Sequence, residues 1–294
     1  MQKHKVGIND YLSLVKFSHT VFALPFALIG FFLAVKTSPA GFNLKLLFLV
    51  IACMVFARTA AMAFNRYLDR AIDAANPRTA SVREIPKGII SAKNALLFVI
   101  INSLLFVFSA WLINSLCFYL SPVALLVILG YSYTKRFTPL CHFVLGIGLA
   151  LAPIGAYLAI TSQFDTLPIL ISLLVLFWVS GFDIIYALQD EDFDKEKKLY
   201  SIPVLLGKKN ALILSSALHF LTAICVAAVG ITGNFSLLYL IGACIFIALL
   251  FYQHTLVKPS DLSKVNIAFF TTNGIASVVY AFFVIFDLYF KFSL

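Results

Sequence analysis

The chain has 294 residues, of which 62% are hydrophobic and 12% charged, and its mean hydropathy is +0.98. A soluble globular domain carries roughly twice that charged fraction, so the composition excludes one and points to a membrane protein. The net charge of +9 does not indicate a nucleic-acid partner, because no basic stripe or aromatic-spaced groove accompanies it.

Residues 7–16 read as a short amphipathic helix at the inner membrane surface, and the N-terminus shows neither a cleavable signal pattern nor an Arg/Ser-rich transit peptide. Nine apolar spans of about 20 residues follow, at 17–35, 46–64, 94–114, 116–134, 141–160, 167–187, 210–230, 235–252 and 266–288. Spans three and four share a very short turn at Asn114-Ser115. No segment reads as a soluble domain, linker or low-complexity tract, so residues 1–294 are expected to form one integral-membrane domain, an all-α multi-pass bundle. With the N-terminus inside, the inner segments hold eighteen of the 22 Lys and Arg, whereas the outer ones hold Lys36, Lys45 and Lys291; Arg58 falls within a span. That asymmetry predicts a cytoplasmic N-terminus and an outer C-terminus.

Nine of the thirteen acidic residues lie between Asp69 and Glu84 or between Asp183 and Glu196. At the inner end of span two, Asn65, Asp69 and Asp73 are spaced i, i+4, i+8, one slowly drifting stripe on an α-helix. At the inner end of span six, Asp183, Asp190 and Asp194 return to within about 20° of a common face, with Tyr186 to one side. An Asp placed near a span is costly and usually faces a polar cavity. Oxygen ligands without His or Cys suit Mg²⁺, which takes one or two carboxylates plus substrate phosphates and water. Glu191, Asp192 and Glu196, beside Lys195, Lys197 and Lys198, read instead as solvated surface charge.

After the first stripe, residues 76–88 carry two prolines and end in Gly88, the mark of a structured loop. Its Arg78 and Arg83 are placed to neutralise an anion bridged to the carboxylates through the metal. His19 in span one and Asn273 in span nine are polar intrusions that would line a cavity or make an interhelical hydrogen bond. The five cysteines are scattered singly among apolar residues, without ligand spacing, and read as small buried hydrophobes.

Together the motifs resemble the UbiA superfamily of intramembrane prenyltransferases. The family's NxxxDxxxD is matched by Asn65/Asp69/Asp73 and its DxxxxxxDxxxD by Asp183/Asp190/Asp194 with Tyr186-Ala187 inside. Its YxxxK element, between spans four and five, is matched by Tyr131 and Lys135, followed by Arg136. The stretches Lys16–Ala27 and Tyr131–Phe137 look most like the 4-hydroxybenzoate branch of the family. The resemblance implies a nine-helix bundle with a central cytoplasm-facing cavity and a lateral opening to lipid, in a bacterial inner membrane. It implies Mg²⁺ on Asn65, Asp69, Asp73, Asp190 and Asp194. The diphosphate of a polyprenyl donor would meet Asn65, Arg78, Tyr131 and Lys135. The acceptor would be an aromatic ring, 4-hydroxybenzoate or a related hydroxynaphthoate of ubiquinone or menaquinone biosynthesis. Asp183 is then the candidate base, with Tyr186 nearby, and Arg136 the candidate clamp for an aromatic carboxylate. No obligate protein partner is implied. Other acceptors of the family (homogentisate, haem, a glycerol phosphate lipid) fit the same motifs. A cation-coupled transporter fits less well, because the carboxylates sit at span ends rather than the midplane. The Asp-Gly and Ala-Arg pattern of a CDP-alcohol phosphotransferase is absent from the sequence.

Overall fold

Uncharged runs of Leu, Ile, Phe and Val satisfy their backbone groups in hydrocarbon only by closing each hydrogen bond within the segment, so they fold as helices. The computed structural model describes residues 7–16 and 22–291, and among these it contains no β-strand. The helices are α1 (Ile8–Leu14), α2 (Leu24–Thr37), α3 (Leu44–Leu68), α4 (Arg70–Ala75), α5 (Pro77–Ala80), α6 (Ala92–Ile113) and α7 (Ser115–Thr134). They continue with α8 (Cys141–Thr161), α9 (Thr166–Ala187), α10 (Glu191–Glu196), α11 (Ile202–Thr232), α12 (Leu237–Leu256) and α13 (Asn273–Tyr289). A 3₁₀ turn at Leu188–Asp190 joins α9 to α10, and a π-helical turn at Ile267–Thr272 leads into α13.

Eight of these helices are long and apolar enough to cross a membrane, which makes this an integral, multi-pass membrane protein. The helix of the first expected span is shorter. It starts at Leu24 rather than 17, with Pro25 in the first turn where a missing N–H costs nothing, and has 14 residues. Those rise roughly 21 Å against a hydrocarbon core of about 30 Å. His19 lies outside the described residues. The seventh span, by contrast, begins earlier than expected: α11 starts at Ile202 and is interrupted at Gly207, whose φ of 74° is open to glycine without strain. The turn between spans three and four is a single residue, Asn114. Its Oδ1 caps α7 at Cys117 N (2.8 Å) and its Nδ2 donates to Leu158 O (2.9 Å).

At the centre, α9 packs against α8 on one side and α11 on the other; α2 lies on α8, α3 on α6 and α12 on α13. Lipid is as apolar as a leucine side chain, so close backbone approach and buried polar pairs hold such helices together. A Cβ on Gly30 would stand 2.0 Å from Pro153 O, and one on Gly181 would stand 2.3 Å from His219 Nε2. Trp178 of α9 is fully buried between Phe26 and Phe246, and its Nε1 donates to Asn273 Oδ1 at 2.8 Å. Asn273 Nδ2 donates in turn to Gln253 Oε1 at 3.2 Å, so this residue makes an interhelical bond. The α7, α8 and α11 segments meet at one end of the bundle, where Tyr200 N donates to Lys135 O (2.7 Å) and Ile202 N to His142 Nε2 (3.3 Å). Both acidic motifs are delivered to this end.

Candidate active site

The first motif is helical but not one straight stripe. Asp69 closes α3 and opens α4 at φ −86°, ψ 6°, so the chain bends at the middle carboxylate. Backbone bonds from Asp69 N to Asn65 O (2.9 Å) and Asp73 N to Asp69 O (2.7 Å) keep the three side chains on one side. Asn65 Nδ2 donates to Asp69 Oδ2 at 3.3 Å. Asp69 is buried and takes Lys135 Nζ at 2.8 Å and Arg136 Nη2 at 2.7 Å. Asp73 is buried too, and its Oδ2 has no hydrogen-bond partner; Arg83 Nη1, also unpartnered, stands 3.7 Å away. Burial pushes the Asp73 carboxyl up to about 6, with Asp69 adding to the rise and Arg66 opposing it.

The second motif is likewise interrupted, since the 3₁₀ turn separates Asp183 and Tyr186 on α9 from Asp194 on α10. Asp190 is held by Arg78, with Nε to Oδ1 at 3.0 Å and Nη2 on Oδ2, and by Asn76 Nδ2 at 3.1 Å. Arg78 Nη1 also donates to the Tyr186 hydroxyl at 3.1 Å, while the Tyr186 ring lies 4.2 Å from Phe269. The Asp194 carboxylate lines the same cavity without a hydrogen bond or ion pair among the described residues. Glu191 departs from the surface-charge expectation. It is buried, bonded to Lys195 Nζ at 2.5 Å with Lys208 Nζ at 4.0 Å, because the 3₁₀ turn rotates it inward. Asp192 and Glu196 are solvent-facing, at 88% and 69% side-chain exposure.

The polar cavity has a volume of about 240 Å³ and brings together Asn65, Asp69, Asp73, Arg78, Tyr131, Lys135, Asp183, Tyr186, Asp190 and Asp194. Five basic residues (Arg58, Arg66, Arg78, Arg83, Lys135) and five aspartates line it. Among the described residues no three acidic, His or Cys side chains converge as a ready metal cage, since Asp69 and Asp190 are each drawn to their own cations. An all-oxygen set with one orphaned buried carboxylate oxygen fits a hard cation that shares its shell with substrate phosphate.

Three residues that matter here were hidden in the sequence. Asn76 bridges the motifs, accepting Arg78 N at 2.9 Å while donating to Asp190. His142, at the start of α8, stands 2.7 Å from Asp183 Oδ2. Arg58 is the third: its Nε is buried without a partner, and no hydrogen bond or ion pair reaches it among the described residues. It sits seven residues before Asn65, two helical turns away on the same face, and its position inside a span was the legible signal. Arg58, Tyr131 and Leu145 line both the polar cavity and an apolar chamber of about 340 Å³ between α3, α7 and α8. Arg136, the expected carboxylate clamp, is engaged instead. Besides Asp69, its guanidinium donates to Ser132 O at 2.8 Å and Leu68 O at 3.2 Å.

The chain is 29% identical over 239 residues to the 4-hydroxybenzoate octaprenyltransferase of Tolumonas auensis, covering 81% of this chain and 83% of that protein. The enzyme of the same name from Aliivibrio salmonicida is 29% identical over 235 residues, covering 80% and 81%. A UbiA homolog from Aeropyrum pernix K1, solved in its apo form, superposes with a TM-score of 0.82 at 31% identity, over 92% of this chain and 98% of that one. A UbiA homolog from Archaeoglobus fulgidus bound to DMAPP and Mg²⁺ shares the fold, with a TM-score of 0.70 at 23% identity over 94% and 99%. The model of the UbiA prenyltransferase family matches residues 23–275, and the chain belongs to that family.

Proposed function

We propose that this prenyltransferase moves a polyprenyl group from its diphosphate to the ring of a hydroxylated aromatic acid. The acceptor on this reading is 4-hydroxybenzoate or a related hydroxynaphthoate, and the product belongs to ubiquinone or menaquinone biosynthesis. The observation that carries the reading is the junction at Arg58 and Tyr131, where the aspartate-lined cavity meets the apolar chamber. A diphosphate belongs in the first and its hydrocarbon tail in the second. The names of the bacterial relatives support the acceptor. The positive-inside asymmetry supports a bacterial inner membrane with the N-terminus and the site facing the cytoplasm.

Asp69, Asp73, Asp190 and Asp194, with Asn65, would hold Mg²⁺, which when bound supplies Lewis acidity to the leaving diphosphate. Five basic residues and five aspartates line the cavity, so its charges are already offset within the protein. Arg78 and Lys135, paired here with Asp190 and Asp69, would contact the phosphate oxygens of the donor, with those carboxylates as ligands of the metal. The apolar walls keep water from the allylic carbon as its C–O bond breaks. Arg58, whose Nε is buried without a partner, takes the acceptor carboxylate. Asp183 takes the hydroxyl proton, beside Tyr186, and the O–H electron pair activates the ortho carbon. That carbon bonds to prenyl C1 while diphosphate leaves with the C1–O pair. The ring C–H proton then passes to diphosphate, and the ring oxygen recovers its proton from Asp183.

Purified protein with Mg²⁺, a polyprenyl diphosphate and either aromatic acid should release diphosphate in an acceptor-dependent way and form the prenylated acid, read by mass. Release with neither acceptor, or product only with a lipid or haem acceptor, would overturn the acceptor assignment. Mg²⁺ affinity should also weaken as pH falls through about 6, where Asp73 takes a proton and ceases to be a ligand. Calorimetry in two buffers of different ionisation enthalpy should show proton release on binding near pH 6 and little at pH 8.

A further inference from the structure

His142 has no part in the chemistry set out so far, yet it is one of the most constrained side chains at the site. It opens α8 and is 3% exposed. Its Nδ1 lies 2.7 Å from Asp183 Oδ2, and its Nε2 lies 3.3 Å from the amide of Ile202. A backbone N–H can only donate, so Nε2 carries the lone pair and the ring proton sits on Nδ1. Nδ1 is therefore the ring's N–H donor aimed at Asp183. One turn further along α8, a Cβ on Gly146 would stand 2.5 Å from Ser180 Oγ, so the two helices are held close at the level of the pair. Asp183 lines the polar cavity, and its Oδ1 has no hydrogen-bond partner among the described residues. One carboxylate oxygen is thus tied to the scaffold and the other is left for a ligand.

We propose that His142 is the positioning residue of the acceptor base, holding Asp183 as a carboxylate with Oδ1 turned to the acceptor hydroxyl. The proposal rests on the reading of Asp183 as that base. A hydrogen bond to the charged form keeps a half-buried carboxylate ionised, and a fixed second oxygen prevents it from rotating onto a neighbouring cation. The other titratable groups whose charge reaches the pair are Tyr131 on α7, Cys141 on α8 and Asp194 on α10. None of them donates a hydrogen bond to Asp183, so nothing else in the site takes over the function of His142. The proton transferred is the acceptor's own: it moves to Asp183 Oδ1, while the His142 Nδ1 proton stays in place throughout.

The test compares removal with conservative replacement. His142→Leu and His142→Ser remove the donor, and serine is the smaller, polar alternative where leucine hinders folding. His142→Asn keeps an N–H the same number of bonds from the backbone as Nδ1. Folding is read from donor and Mg²⁺ binding. The removal variants should lose about 10- to 100-fold in kcat, the scale of one hydrogen bond to a charged group, with donor KM within about twofold. The asparagine variant should recover most of the loss. A ring-fluorinated acceptor, whose hydroxyl is more acidic, should help the removal variants more than the wild type. Unchanged kcat in either folded removal variant, or a loss that neither asparagine nor the acidic acceptor relieves, overturns the role of His142. Wild-type protein without acceptor-dependent turnover would instead overturn the underlying reading, and the proposal with it.

Discussion

Asp190→Asn should lower kcat by about 10³-fold or more, while Asp192→Asn, two residues away, should change it by less than about twofold. Several kcal/mol of leaving-group stabilisation is the usual yield of a metal Lewis acid, and each 1.36 kcal/mol is tenfold in rate. The substitution removes a charge while keeping the shape, and the amide Oδ1 can still accept from Asn76 and Arg78, so the fold should survive. The Asp192 side chain is 88% exposed, and Lys208 Nζ stands 3.7 Å from its carboxylate. The pair of variants therefore separates a site carboxylate from a surface one in the same helical turn. Rapid-quench measurement of diphosphate release across a Mg²⁺ titration gives the readout. Saturation at much higher Mg²⁺ with a depressed plateau fits a ligand that also tunes the chemistry. A loss below tenfold at saturating Mg²⁺ would mean that Asp190 serves only to hold Arg78.

That distinction matters because Asp190 and Asp69 are both already paired. The sequence makes the carboxylates legible as candidate ligands, since acids rarely stand at span ends without a task. It does not reveal that Arg78, Lys135 and Arg136 occupy them, because those pairings cross from residues 78, 135 and 136 to residues 190 and 69. Local periodicity carries no information over such separations. The helical stripes were readable to within a turn; their breaks at Asp69 and Leu188–Asp190 were not, because neither position holds a proline or glycine to announce a change of geometry. Glu191 was misread for the same reason: the 3₁₀ turn rotates it toward Lys208, a partner from another helix. His142 and Asn76 are ordinary polar residues at segment ends, and only tertiary contact gives them partners. The span pattern, by contrast, survives translation into helices almost intact, since hydrocarbon leaves the backbone no alternative.

Arg58→Ala should reduce kcat/KM for a carboxylated acceptor by about 100-fold or more, mostly through KM. Truncating one member of a buried, hydrogen-bonded charge pair costs roughly 2–5 kcal/mol. Arg58 is half-buried, its Nε is buried without a hydrogen-bond partner, and it stands where the polar cavity opens into the apolar chamber, so a bound carboxylate would supply its counter-charge. Arg58→Lys should recover only part of the loss, because an ammonium cannot make the planar bidentate contact. The decisive comparison uses a decarboxylated phenol as acceptor in both proteins. If Arg58 binds the carboxylate, the phenol should be poor with the wild type and no worse with Arg58→Ala, so that the two losses do not add. Additive losses would place the carboxylate elsewhere. Arg136→Ala provides the contrasting outcome. Its guanidinium braces Asp69 and the end of α3 through Leu68 O, so its loss should raise the Mg²⁺ requirement and spare the acceptor KM. Should the acceptor KM rise with Arg136→Ala and stay fixed with Arg58→Ala, the clamp belongs to Arg136, and Arg58 must meet the diphosphate instead.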